Sequence, residues 1–495
     1  MHHIMRVGIS LGCLAATAAA AVAAATATDA ATIEYRDKCS KTLVRDVAII
    51  GGGASGAHAA VWLRDHGYSV VVVEKADQLG GHTNFYRDPV SGKDINVGVQ
   101  AWMEYKDTLD FPKRMNVSTS GSMTFTPNTA QFIDYKTGKP VEGYTAPEAG
   151  DMYPALQRYL DVIEQYEDMV LPGFFNFPEP SEIPEDLLMP FGQFVAKYNL
   201  EAAVPQIWDS TAQGLGDTMN VPTLWVIQAS GLPMVRALLG TAAAAVPASG
   251  RLYDLFESIA DFLGSDVLYS STVVSSKRYS DRNPQKDVIL TVKSADGKLT
   301  CIEANRLLIS IEPTPENMAP FDLDNSERNI LNKFEFTTVY AGILRHASLQ
   351  TLNAYTGRTT GPASLNYTEF PVAPQVGRVD YLGGTEDLFQ FTAVGTARDT
   401  AQSMRELMSR SIDRMIAAGT LPDTSASVSY SIFADHGHMH PRVSADELRA
   451  GFIQKLYSLQ GRRSTFYTGA AFSAGFTTVL WEYNKVLLPK LVQGL

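Results

Sequence analysis

Three glycines, Gly51, Gly53 and Gly56, stand in the spacing G-x-G-x-x-G directly after the apolar run 47–50, with the small residues Ala54 and Ser55 between them. This pattern suits the binding of a dinucleotide diphosphate. Gly51 permits a tight turn, Gly53 has no side chain to hold a diphosphate off the backbone, and Gly56 lets a following helix pack close to the strand. The N–H groups that open such a helix, with the positive end of its dipole, face the phosphates. Glu74 lies 23 residues after Gly51, close to the spacing of ~20 at which a carboxylate accepts hydrogen bonds from a ribose diol.

A second candidate group is His436, His438 and His440, which alternate along 435–440. On an extended strand they would share one face. Three imidazoles there suit a metal ion or acid–base work at a substrate, and packed or surface histidines would read the same way. No second ligand cluster accompanies them, so the reading takes no metal and keeps His436 and His438 as candidate catalytic residues.

The elements that must position these residues follow from periodicity. Residues 47–50 and 69–73 are wholly apolar, as buried parallel strands are. Residues 57–64 between them read as a helix ended by Gly67. Further strands are expected over 267–274, 288–292 and 301–309, the last two joined by an Asp296-Gly297 turn. A strand over 465–468 runs into Gly469, and a helix begins near Thr477. Residues 150–245 read as mainly helical, with one helix over 186–198. Residues 313–440 mix strands and loops, and a helix over 400–418 carries Met404, Met408, Ile412 and Met415 on one face. The fold class expected is α/β, a Rossmann-type domain with an interleaved substrate domain of antiparallel sheet and helical cap.

Composition bounds the function. The 495 residues are 45% hydrophobic and 19% charged, with a formal charge of −12; a polyanion would be repelled, so nucleic acid is not an expected partner. Three cysteines cannot build a disulfide scaffold. Residues 1–27 read as a secretory signal: Arg6 is basic, 7–25 is uncharged, and Ala25-Thr26-Ala27 offers a cleavage site. Cleavage leaves Cys39 and Cys301, whose pairing stays open. Asn116 and Asn366 begin glycosylation sequons. The expected location is the secretory pathway, secreted or vesicular, with no stable membrane span.

Other segments carry a family resemblance. Residues 75–82, K-A-D-Q-L-G-G-H, resemble the second glycine motif of the FAD-dependent amine-oxidase and phytoene-desaturase-like superfamily. The resemblance implies FAD as cofactor and a glutathione-reductase-like fold. It brings Lys75, Gly80 and Gly81 toward the diphosphate and ribityl chain, and puts His82 where an arginine often stands. Residues 94–102 resemble the strand and turn whose backbone passes the flavin, which implicates Val99 and Gln100 as cofactor contacts and Trp102 as a candidate catalytic residue. Val273 or Val274 would contact adenine through its backbone. The closing segment brings in Gly469, Ala470 (where the superfamily usually has an acid), Thr477 and Thr478, at a helix start that stabilises charge on reduced flavin.

Residues 186–222 and 443–469 look like the bacterial FAD-dependent polyunsaturated fatty acid (linoleate) isomerase. The amino-terminal third and Gly469-Ala470-Ala471 look more like the fungal β-cyclopiazonate dehydrogenase family. Together they imply an FAD-dependent oxidoreductase that takes a hydride from a small apolar secondary metabolite, with oxygen as electron acceptor and ring closure as an accompanying outcome. The alternative is double-bond isomerisation of a fatty acid or similar lipid without net redox change. The isomerase resemblance places Gln213 near the reacting carbons, in place of a phenylalanine. On this reading 44–115, 246–312 and 456–495 form the FAD domain, and 116–245 and 313–455 the substrate domain.

Overall fold

The computed structural model describes residues 38–121, 123, 126–279, 288–360, 367–383 and 387–495. The proposed signal 1–27 and the sequon asparagine Asn366 lie outside the described residues.

The strand Lys41–Ile50 ends in four buried residues, and Val70–Val73 is buried throughout. They pair in parallel, Val47 opposite Val70. Helix Ala54–Asp65 crosses between them, the βαβ unit expected from 47–73. The sheet grows from this centre. Leu299–Ile309 pairs in parallel with Lys41–Ile50, and Thr465–Tyr467 with the end of Leu299–Ile309. Val288–Ser294 and Ser271–Arg278 add antiparallel strands outside Leu299–Ile309, with Gly297 at φ +84° in the expected turn.

The run 267–274 is not the single strand expected. Val267–Leu268 extends the edge beside Val70–Val73. Ser270, at φ +48°, turns the chain, and Ser271–Arg278 joins the opposite edge of the sheet. Neither β-branched content nor alternation signals such a break, because valines stand on both sides of it. The Cys39 and Cys301 sulfurs form a disulfide where the first strand enters the sheet.

A second sheet of seven strands has the order Ser429–Arg442, Glu335–Arg345, Phe389–Thr396, Gln375–Tyr381, Asn353–Gly357, Thr129–Asp134, Lys139–Pro140. Helix Ala401–Ala417 covers one face: Met404, Met408, Ile412 and Met415, each at most 1% exposed, pack on Tyr340, Val379, Phe389 and Phe391. Thr400 caps this helix, its hydroxyl accepting from the Ser403 amide, which satisfies an otherwise orphan donor. The opposite face meets the nucleotide lobe: Ala341 and Ile343 pack on Ile95 and Val97 of the hairpin Thr83–Arg87/Asp94–Gly98. The helix expected over 186–198 is two, Glu185–Leu188 and Phe191–Tyr198, because Pro190 takes the cap position of the second and disfavours helical backbone before it.

A buried ion cluster fastens the closing strand. Arg278 and Glu327 form a two-pronged pair at 2.8 and 2.9 Å. Arg278 also donates to Thr465 Oγ1 at 3.1 Å, and Tyr467 Oη donates to Glu327 at 3.2 Å. Removing one partner of such a pair costs about 3–5 kcal/mol when the other charge is left alone; Arg278 would keep Asp322, to which its Nε donates at 3.1 Å, which puts the cost at the lower end. Glu327→Ala is therefore expected to lower the unfolding free energy by up to about 3 kcal/mol, read as a lower urea midpoint at an unchanged slope; an unchanged midpoint would show that the cluster relaxes to water.

Candidate functional site

The carboxyl ends of the parallel strands converge on the glycines. Gly51 has φ +97°, a conformation that favours glycine. A Cβ on Gly56 would lie 2.0 Å from the Gly51 carbonyl oxygen and 2.5 Å from Ser310 Oγ, so the helix packs directly on the turn. Gly53 is different. Its φ is −74°, and a Cβ there would meet nothing closer than the Gly81 Cα at 3.6 Å. Contacts within the chain leave room for a side chain at Gly53, yet the position holds glycine. No side chain caps the helix that Gly53 opens, so the amides of Ala54, Ser55 and Gly56 point at this open space. Free amides, a helix start and an unfilled Cβ position together fit a dinucleotide diphosphate.

Gly80 and Gly81, at φ +124° and +56°, form the facing wall; the Gly80 amide donates to the Gly52 carbonyl at 3.0 Å. Glu74 is buried, and its carboxylate accepts from the Gly52 amide at 2.6 Å and the Ala76 amide at 2.8 Å. It stands at the end of the second strand, as the spacing implied, with lone pairs left for a diol. Lys75 is exposed beside it. In the strand Ser271–Arg278, Val273 is buried, and the register slips between Val273 and Ser275 so that Val274 bulges.

The closing segment is tied to the cradle by side chains. Ser55 Oγ and Thr468 Oγ1 lie 2.6 Å apart, and Thr468 donates to Asn484 Oδ1 at 2.7 Å. Asn484 Nδ2 donates to the Ser55 carbonyl at 2.8 Å. The Ser55 hydroxyl is thus spent on this network, leaving its amide for a ligand. Gly469, at φ +104°, and Ala470 follow at once, and helix Thr477–Leu491 starts without a side-chain cap. Thr478 Oγ1 donates to the Met103 carbonyl at 2.6 Å, so it anchors the helix to the strand Trp102–Met103. Asn484 and Ser310 are parts of the site that sequence reasoning missed. An asparagine inside an apolar helix was the available signal for the first; nothing marked the second.

Val99 and Gln100, expected as cofactor contacts, lead to the expected catalytic residues Trp102, Gln213, His436 and His438. Val99 donates its amide to the His82 carbonyl at 3.3 Å, and Gln100 folds back on the Asn96 and Gly98 carbonyls at 3.1 and 3.2 Å. Trp102 is fully buried with its ring centre 6.0 Å from that of Trp481, and its Nε1 is buried without a hydrogen-bond partner among the described residues. Gln213 is also fully buried, at φ +58°. Its Oε1 accepts from Thr392 Oγ1 at 2.6 Å and its Nε2 donates to Asp209 at 3.3 Å. The amide is committed to the sheet face and is not free for a reacting group.

The histidines do not share a face. Gly437 at φ +68° and His440 at φ +52° interrupt the strand, and its register slips between the Tyr340–Asp435 and Thr338–His438 pairs. His438 meets the edge of Phe336 at 5.5 Å, and His440 packs on Gly214. Among the described residues no three His, Cys, Asp or Glu side chains gather as a metal site. His436 faces the nucleotide lobe, and His440, with its Nε2 buried and unpartnered among the described residues, also feels the charge of His82. The His436 ring lies 5.2 Å from that of His82 and touches Gly98, where a Cβ would be 3.0 Å away. Both of its ring nitrogens are buried without a hydrogen-bond partner among the described residues. Burial, then the neighbouring His82, brings its pKa down to about 3. The ring is neutral at ordinary pH and offers an acceptor nitrogen. Burial also lowers the pKa of His82, followed by Lys75, against a hydrogen bond with the His436 backbone.

Comparison with known proteins agrees with this geometry. Residues 49–114 match the model of the NAD(P)-binding Rossmann-like domain. The chain is similar in fold to the CLA-producing fatty acid isomerase from P. acnes (TM-score 0.67, 18% identity, 90% of this chain and 99% of that one). It is also similar to putrescine oxidase (TM-score 0.57, 17% identity, 91% and 100%). The fold is thus the amine-oxidase-like architecture, built on a Rossmann-like domain. Two curated relatives fix the family. Beta-cyclopiazonate dehydrogenase of Aspergillus oryzae is 32% identical over 468 residues, 93% of this chain and 95% of the relative. The FAD-dependent oxidoreductase dpchF of Colletotrichum higginsianum is 32% identical over 459 residues, 91% and 94%. The chain belongs to this family of FAD-dependent oxidoreductases.

Proposed function

We propose that the protein removes a hydride and a proton, two electrons and two protons in all, from a largely apolar small molecule, with oxygen, reduced to hydrogen peroxide, as the final acceptor. The observation that carries this reading is the seam where the hairpin Thr83–Gly98 region meets the second sheet. Ile95, Val97, Ala341 and Ile343 pack together there as a buried apolar core, and His436 stands beside it with both ring nitrogens unpartnered. Bound FAD supplies the hydride acceptor. The amides of Ala54, Ser55 and Gly56, beside Gly51 and Gly53, hold its diphosphate, with Gly80, Gly81 and Lys75 on the facing wall. Glu74 holds the ribose, and the backbone of Val273 and Val274 the adenine. Gly469, Ala470 and the helix start at Thr477 line the flavin end, where the dipole favours negative charge. His436, neutral, accepts the proton that leaves as the hydride departs.

The dehydrogenase name of a relative at 32% identity supports net oxidation. The test is to turn over candidate apolar metabolites in air with the holoprotein while recording product mass and hydrogen peroxide. A product lighter by two hydrogens, with equivalent peroxide, is expected. A product of unchanged mass without peroxide would mean isomerisation and overturn the reading. His436→Gln is expected to lower kcat about a hundredfold or more with flavin content unchanged; undiminished turnover would remove the histidine from the chemistry.

We also place the protein in the secretory pathway. The Cys39–Cys301 disulfide and the exposed Asn116, at φ +58° in its sequon, support this, since disulfides persist in oxidising compartments. A fusion of residues 1–27 to a reporter should be exported; cytosolic retention would count against it.

A further inference from the structure

Away from the nucleotide cradle, a buried cation lacks a counter-charge. Arg358 follows the strand Asn353–Gly357 and is 4% exposed. Its guanidinium carbon lies 4.9 Å from the ring centre of Trp208, 5.1 Å from that of Phe370, and 5.4 Å from those of Phe132 and Tyr144. Aromatic faces attract a cation but do not satisfy its in-plane N–H donors. Of those donors, Nε reaches Tyr144 Oη at 3.3 Å and Nη1 the Gly357 carbonyl at 2.8 Å. A guanidinium has five, and among the described residues no carboxylate pairs with this one. Burying a charge without a partner is costly.

Arg358 also lines a cavity of about 40 Å³ beneath helix Ala401–Ala417. Gln375, 5% exposed, lies on the same lining. Its Nε2 donates to the Gln213 carbonyl at 3.4 Å, and its Oε1 is buried with no partner. Lys136 and Arg414, both exposed, stand at the mouth. The one acid on the lining, Asp134, is taken up by Thr360 and by the Lys136 amide. The remaining wall combines the apolar Pro374 and Leu407 with hydroxyl residues, among them Thr359 and Ser411.

We propose that this cavity binds the carboxylate of a small organic acid with an apolar body. Arg358 presents its free N–H edge to the carboxylate oxygens, the geometry a guanidinium matches best. Lys136 and Arg414 draw the anion to the mouth. Gln375 Oε1 accepts from a donor beside the carboxylate, a hydroxyl of the ligand or a water. Size limits what enters: the cavity exceeds the ~10–15 Å³ that one water needs, so it takes a carboxylate head but not the whole molecule. The apolar body lies across Leu407 and Pro374. This site is separate from the nucleotide cradle and stands whether or not the reaction proposed above is correct.

Calorimetry of the holoprotein with octanoate tests it. Octanoate is expected to bind and 1-octanol not to displace it. Arg358→Gln should weaken octanoate at least about tenfold. Leu407→Trp, which fills the mouth and leaves Arg358 in place, should do the same, so the test survives if loss of the cation impairs folding. Flavin absorbance and the thermal midpoint report the fold of each variant. No octanoate binding by the wild type, or undiminished binding by Leu407→Trp, would overturn the proposal. Displacement of octanoate by an equal concentration of inorganic phosphate would overturn the carboxylate assignment.

Discussion

Gly53→Asp is expected to yield a folded protein that has lost its flavin, whereas Gly56→Ala loses flavin and stability together. The two glycines belong to one motif but answer to different neighbours. At Gly56 a Cβ would press to 2.0 Å on the Gly51 carbonyl, a backbone atom, and to 2.5 Å on Ser310 Oγ. Strand and helix must separate, at or beyond the upper end of the about 1–3 kcal/mol that overpacking costs. At Gly53 the backbone is ordinary, with φ −74°, and the nearest atom to a Cβ is 3.6 Å away. A Cβ there is at ordinary contact distance from Gly81, and the carboxylate it carries would meet a diphosphate. Like charges ~4 Å apart at an effective dielectric constant of ~20 repel by about 4 kcal/mol, roughly a thousandfold in affinity. The measurements are bound flavin per protein and the urea midpoint of the flavin-free form. Gly150→Ala, at a helical glycine with nothing within 4 Å, serves as the neutral control. Full flavin content in Gly53→Asp would remove the diphosphate from that face.

The contrast shows why the cradle was legible and the substrate side less so. The glycine motif is local: turn, helix start and acid lie within Lys41–Glu74, so spacing alone carries them. Thr400 at the start of helix Ala401–Ala417 and Gly297 in its turn were legible for the same reason. Histidine alternation failed because strand period holds only while backbone stays extended, and Gly437 and His440 do not. Gln213 has a polar side chain in a helical region, yet its partner Thr392 is 179 residues away. Arg358 gives no sequence signal at all, since its cage is drawn from 132, 144, 208 and 370. Superfamily resemblance supplied FAD and the lobes, but the resemblance says little where residues from distant segments complete one another.

Acid is expected to destabilise the protein steeply below pH 6.5. Burial brings His58 to about 3, with Lys485 adding to the effect, and His436 to about 3, with His82 adding. A histidine with a depressed pKa takes up its proton more readily in the unfolded chain. Stability is therefore full above the unfolded value of ~6.5, falls as pH drops, and stops falling near the folded value. Each such residue contributes about 1.4 kcal/mol per pH unit in that window. His58 and His436 together remove about 4 kcal/mol between pH 6.5 and 5, a large share of the about 5–15 kcal/mol typical of a domain. His82 and His440 are shifted the same way, again chiefly by burial. His58 isolates the effect because it lies away from the seam, edge-on to Phe111 at 4.5 Å and beside Asn484 Nδ2 at 3.2 Å. Gln in its place keeps an acceptor for Asn484 but cannot titrate. His58→Gln should flatten the dependence of unfolding free energy on pH by about 1.4 kcal/mol per unit, whatever constant offset the lost ring packing adds. Parallel slopes for wild type and variant between pH 6.5 and 5 would mean that His58 is protonated, or hydrated, in the folded state. The network that ties Ser55 to Asn484 would then have to be redrawn around an imidazolium.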